Sequence, residues 1–115
     1  MRLYIAGPMT GIKDYNYAAF NDAERLLKSV GYEVLNPARQ GFGKEYQEYL
    51  ELAIADVFAC DGIALLPNWE RSPGASAEVA LADALRKDAS ELAIWLSLGV
   101  LNRAYVTGGQ VAATK

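Results

Sequence analysis

The chain has no histidine, which removes at once the commonest general base and the commonest metal ligand. Acid–base or nucleophilic chemistry must then rest on carboxylates, tyrosines, lysines or serines, and neither a metal nor any other cofactor is expected. Cysteine occurs once, at Cys60, so no internal disulfide can form, and the thiol reads as a small buried apolar residue. No basic run is present. Eleven Lys and Arg against fourteen Asp and Glu give a net charge of -3, which argues against a nucleic-acid partner. A small anion is not excluded, because backbone N–H groups at a helix start can hold a phosphate without net positive charge. No apolar stretch approaches the roughly 20 residues that span a bilayer, so no membrane partner is expected. Met1-Arg2 leads straight into a short strand-like run without the apolar region and cleavage site of a secretory leader. The expected location is the cytoplasm.

What is present suits one globular domain. The chain has 115 residues, 52% of them hydrophobic and 22% charged, enough to bury a real core. Leu3-Tyr4-Ile5-Ala6, closed by Gly7-Pro8, predicts a buried strand ending in a turn. Asp14 or Asn16 can cap the helix that follows, with Phe20, Ala23, Leu27 and Val30 on one face and Gly31 ending it. Tyr32–Leu35 predicts a second strand, stopped by Asn36-Pro37. Tyr46, Tyr49, Leu50, Ala53, Ile54, Val57 and Phe58 repeat at helical spacing and give the clearest helix. Gly62–Pro67 is wholly apolar, as strands buried on both faces of a parallel sheet are.

A third helix starts near Ala75 behind Ser72 as N-cap and Pro73 at the first helical position. From Ala75 to Leu98 there is no glycine or proline, which allows one long helix. The alternating β-α pattern instead predicts a fourth strand at Leu92–Leu96, after a turn near Asp88–Ser90. Val100–Val106 gives one more element. The domain is expected to span 1–106, with 107–115 a flexible tail. Alternating strands and helices imply a parallel sheet of four to five strands with right-handed crossovers. In such sheets ligands sit beyond the carboxyl ends of the strands, where strand order reverses. That rule points to two loops, Gly7–Gly11 and Asn68–Gly74.

Glu78 is out of place. At roughly 100° per residue, Ser76, Asp83 and Lys87 form the polar face of the third helix, whereas Glu78 falls among Ala75, Leu81, Ala82 and Leu85. It is the sixth residue after the Ser72 cap and not the third, so a capping box does not explain it. A carboxylate left ionised and unpaired in an interior costs several kcal/mol, so it needs partners, water or a function. An exposed rim or a pairing with Arg86 would explain it as well as a site would. Tyr4 has two readings likewise: a core tyrosine with its hydroxyl satisfied, or a group that reaches over the site and orients Glu78. Asp56, between Ile54 and Val57, and Asp61, at the opening of the third strand, could each be ordinary solvated or capping carboxylates.

Three stretches carry a resemblance to a known family: Leu3-Tyr4-Ile5-Ala6-Gly7-Pro8-Met9-Thr10-Gly11, Cys60-Asp61-Gly62-Ile63-Ala64-Leu65-Leu66-Pro67, and Trp69-Glu70-Arg71-Ser72-Pro73-Gly74-Ala75-Ser76-Ala77-Glu78. With their spacing they cover roughly residues 2 to 87. The chain resembles the nucleoside 2-deoxyribosyltransferase-like family, most of all its short bacterial and phage-type members. The resemblance implies a flavodoxin-like three-layer α/β sandwich. It implies further that Glu78 is the nucleophile attacking the anomeric carbon and that Tyr4 orients it. Gly7, Met9, Thr10, Ser72 and Gly74 would line the phosphate or sugar subsite, and the chain would work as a homodimer or larger homo-oligomer.

The sequence departs from that family in two places. Relatives carry an aspartate where this chain has Ala53; Asp56, one turn later and about 60° around the helix, is the candidate substitute. The glycine-containing turn after Lys87 is missing as well. The expected function is therefore cleavage or transfer at the N-glycosidic bond of a nucleoside 5′-monophosphate or nucleoside, with hydrolysis favoured because Ser72 suits a phosphorylated substrate. Loss of the aspartate keeps open a nucleotide-binding protein without turnover.

Overall fold

A computed structural model describes residues 1–41 and 43–113, the last nine of these as backbone alone. Four strands and four helices alternate: β1 (Arg2–Ala6), α1 (Tyr17–Ser29), β2 (Glu33–Leu35), α2 (Tyr46–Ala59), β3 (Gly62–Leu65), α3 (Pro73–Ala84), β4 (Asp88–Glu91) and α4 (Leu92–Ala113). The strands form one all-parallel sheet in the order β2-β1-β3-β4. Helices α1 and α4 lie on one face, α2 and α3 on the other. This is the three-layer, flavodoxin-like α/β arrangement that the sequence predicts.

Strand alternation divides the core in two. Leu3, Ile5 and Ala64 point toward α1 and α4, joining Phe20, Ala23, Leu27 and Trp95. Tyr4, Ala6, Ile63 and Leu65 point the other way, joining Val57, Ala75 and Ala82. Strand order reverses between β1 and β3, so the crevice that parallel sheets use for ligands opens beyond the ends of these two strands. There the loops touch: a Cβ added at Gly7 would lie 2.7 Å from the Cβ of Leu66. Glycine at position 7 is required by this approach.

The fourth strand is not where the apolar run predicts it. It is the polar segment Asp88–Glu91, paired on one side only, Gly62 opposite Asp88 and Leu65 opposite Glu91. An edge strand exposes half of its surface, so it needs no apolar run, and charged ends discourage pairing with other chains. Leu92–Leu96 instead forms the first turns of α4. There Trp95 is buried, its Nε1–H donates to the Ile63 carbonyl at 2.7 Å, and its ring meets that of Tyr32 edge-on at 6.0 Å. Residues 100–106 continue α4, as does the backbone from 107 to Ala113, within the segment read as a tail; residues 114 and 115 lie outside the described residues.

Two local features depart from ordinary propensity. Asp14, Tyr15 and Asn16 take consecutive left-handed conformations with φ of 51°, 53° and 62°, each costing roughly 1–2 kcal/mol for a non-glycine residue. Asn16 thus occupies the N-cap position of α1 without a side-chain cap, and its Nδ2 donates to the Pro8 carbonyl at 3.0 Å. Arg86 also has a positive φ, 58°, just past the end of α3. Helix α2 forms where its spacing predicts, yet only Val57 is buried; Tyr46, Leu50, Ile54 and Phe58 are exposed.

Candidate functional site

Tyr4 sits in the middle of β1, the strand next to the reversal, and points toward α3. Its hydroxyl donates to Glu78 Oε2 at 2.5 Å. Glu78 comes from the second turn of α3, whose start is fixed by Ser72: the Ser72 Oγ accepts from the Ala75 N–H at 3.1 Å, with Pro73 at the first helical position. A capped start fixes the phase of the helix, and that phase turns residue 78 inward over the sheet. Glu78 as a whole residue is half-buried.

Electrostatics set this pair apart. Burial, opposed by the Tyr4 hydrogen bond and reinforced by Asp56, pushes the Glu78 carboxyl up to about 7. Burial and the neighbouring Glu78 push the Tyr4 phenol far above its ordinary range, so it acts as a donor and never as a base. Asp56, half-buried on α2, is also raised by burial, and its charge is felt by both Tyr4 and Glu78. The structure thus joins Tyr4 directly to Glu78, with Asp56 near enough for its charge to act on both. Arg86 is exposed beyond α3, and no ion pair joins it to Glu78 among the described residues.

The residues expected around a phosphate are more dispersed in role. Gly7 lies against Leu66, and Thr10 is exposed on the loop after β1. Met9 is half-buried and packs against the α1-face core. Ser72 and Gly74 form the start of α3, with the Ser72 oxygen engaged as cap acceptor from the Ala75 N–H. A recess of about 480 Å³ exists elsewhere, lined by Trp69, Ser76, Val79, Asp83, Lys87 and Ala89 among others. Ser76, Val79 and Asp83 lie roughly 100–160° around α3 from Glu78, so this recess opens on a different side of the helix.

A second buried carboxylate provides a contrast. Glu24 on α1 is 4% exposed and accepts from Arg39 Nε and Nη2, from the Asn36 amide and from Lys28. These partners, Arg39 first, outweigh burial and hold its carboxyl down at about 2. The spacing Phe20, Ala23, Glu24, Leu27 places Glu24 on the apolar face as plainly as Glu78 is placed on its own. That signal was available in the sequence. Glu24 is fully paired, whereas Glu78 has a phenol and a second carboxylate for company.

Fold and site define a flavodoxin-like α/β domain with a tyrosine-held, half-buried carboxylate beside the point where strand order reverses. Residues 1–90 match the family described as Domain of unknown function (DUF4406), and the chain belongs to that family. No curated protein matches the chain in sequence. The match ends within β4, so α4 lies beyond it.

Proposed function

We propose that the chain breaks or exchanges the N-glycosidic bond of a nucleoside 5′-monophosphate or nucleoside, with hydrolysis favoured over transfer. The observation that carries this reading is the half-buried Glu78 carboxylate, held at 2.5 Å by Tyr4 and raised toward neutrality beside Asp56. A carboxylate in that setting can attack an anomeric carbon and stabilise an oxocarbenium-like transition state. One Glu78 oxygen forms the ester bond to the anomeric carbon as the C–N bond breaks. The electron pair leaves on the base nitrogen, which takes up a proton from Asp56 or from water. Water then attacks the same carbon, gives its proton to Asp56 and frees Glu78; a second base in place of water makes the reaction a transfer. Tyr4 keeps the attacking carboxylate oriented, and the Ser72 hydroxyl with the start of α3 supplies donors suited to a 5′-phosphate.

The exposed stripe Tyr46, Leu50, Ile54 and Phe58 on α2 is the face a second copy would cover in a homo-oligomer. Sedimentation at micromolar concentration tests that: a monomer contradicts it.

Ala53, standing where the resembling family has an aspartate, favours a second reading, a nucleotide-binding protein without turnover. Incubation with a panel of nucleosides and monophosphates, followed by chromatography for free base, separates the two. Release that disappears in Glu78→Ala supports the enzyme. Binding without release supports the sensor.

A further inference from the structure

Helix α4 is apolar on two sides. At roughly 100° per residue, Leu92, Trp95 and Gly99 share one arc, which packs on the body of the fold. Trp95 is buried there, and a Cβ added at Gly99 would lie 2.5 Å from Val30 Cγ2. Ile94, Leu98 and Leu101 share a second arc about 120° away, and all three are exposed, as is Val100. From Leu92 to Asn102 the helix carries no charged residue. A helix apolar on both sides is ordinarily covered on both. On its outer side Leu96, Ser97, Val100 and Leu101 line a shallow recess of about 440 Å³. The rows Leu96–Val100 and Ser97–Leu101 are i, i+4 ridges, and the recess is the groove between them.

The chemistry of this face selects its cover. No helix among the described residues is long and apolar enough to cross a membrane. A helix lying on a lipid surface flanks its apolar face with Lys or Arg, and the stretch from 92 to 102 has neither. A partner chosen by charge finds nothing there to pair with. A second copy needs no charge: two chains of net charge -3 repel, and that repulsion is least where both faces are uncharged. The face also carries a ridge beside the groove that such a ridge fills, as a two-fold axis requires of both partners.

We propose that two copies of this chain pair through α4 about a two-fold axis, the Ser97–Leu101 ridge of each seated in the other's groove. Ridges spaced by four on both sides predict helices that cross at about 50°. This interface lies on the opposite face of the sheet from the α2 stripe. It goes beyond the nucleoside reading and does not depend on it.

The test is sedimentation of the full chain at micromolar concentration, with the wild type beside Leu98→Glu and Phe58→Glu. Leu98→Glu sets like charges against each other across the α4 contact and is expected to halve the wild-type mass. Phe58→Glu, on α2, is expected to leave the α4 pair assembled. Should Leu98→Glu fail to fold by circular dichroism, Ser97→Cys decides. Cys60 is buried, so a short bismaleimide should join two such chains through position 97. A monomeric wild type, a mass that Leu98→Glu leaves unchanged, a monomeric Phe58→Glu or a Ser97→Cys chain that stays uncrosslinked overturns the pairing. The nucleoside reading is untouched by any of these outcomes, since release of free base tests it.

Discussion

Tyr4 and Glu78 are 74 positions apart in sequence, yet the Tyr4 hydroxyl donates to the Glu78 carboxylate at 2.5 Å across the interface between sheet and α3. Hydrogen bonds to an ionised acceptor are the short and strong ones. This bond favours the charged form of Glu78 while burial and Asp56 oppose it, and the balance places the carboxyl near 7. The group therefore changes charge in the range where the protein would work.

The first consequence is a pH profile. A nucleophilic Glu78 must be ionised, so base release should rise with pH through about 7 and level off above it. Tyr4→Phe removes the one contact that lowers the pKa, so the rise should move to higher pH, with a lower plateau because orientation is lost. Initial rates between pH 5 and 9 for both proteins check this. A rise centred near 4.5 would show that burial does not govern the group.

Stability should carry the opposite trend. Because the folded-state pKa of Glu78 lies above its ordinary 4.5, its protonated form is the one folding favours. The contribution is complete below about 4.5 and lost as pH climbs to about 7, at a cost on the order of 1–3 kcal/mol. Glu78→Gln should remove this dependence and be more stable than the wild type at pH 8. Urea midpoints at pH 5 and 8 measure it.

Glu24 should behave in reverse. Its carboxyl is depressed to about 2, Arg39 being the main cause, so its stabilisation is present above about 4.5 and lost as pH falls toward 2. Glu24→Gln should destabilise the fold at pH 7, because the largely exposed Arg39 and Lys28 heads lose the buried carboxylate they pair with. At pH 2 the variant and wild type should unfold alike. Thermal unfolding at both pH values provides the comparison.

Arg86 offers a gain. Beyond α3 the Lys87 N–H donates to the Ala82 carbonyl at 2.8 Å and the Arg86 N–H to that of Asp83 at 3.0 Å, the helix-ending motif that places its central residue at positive φ. Arg86→Gly should relieve that conformation and stabilise the fold by about 0.5–1 kcal/mol. An unchanged or lowered melting temperature would refute the assignment of strain.

Much of the fold was legible because its signals are local. The helix over 46–58 follows from spacing, and the start of α3 from Ser72-Pro73. Glu78 was legible as a carboxylate on the wrong face, although its partner was not, since Tyr4 and Arg86 satisfied the sequence equally well. Glu24 shows the limit of that signal: the same misplacement occurs for a purely structural network, and only Arg39 and Asn36, brought round by the turn after β2, tell the two apart. The fourth strand was misplaced because hydrophobicity reports burial and not element type. Asp88–Glu91 earns its place by backbone pairing at an edge, while the apolar run went to α4.

The most direct test is release of free base from a nucleoside monophosphate panel at pH 8 by the wild type, Glu78→Gln and Asp56→Asn. The account predicts measurable release by the wild type and a loss of about a thousand-fold or more in Glu78→Gln, the scale expected when a nucleophile is removed. It predicts a smaller loss in Asp56→Asn. Release that persists undiminished in Glu78→Gln would contradict it.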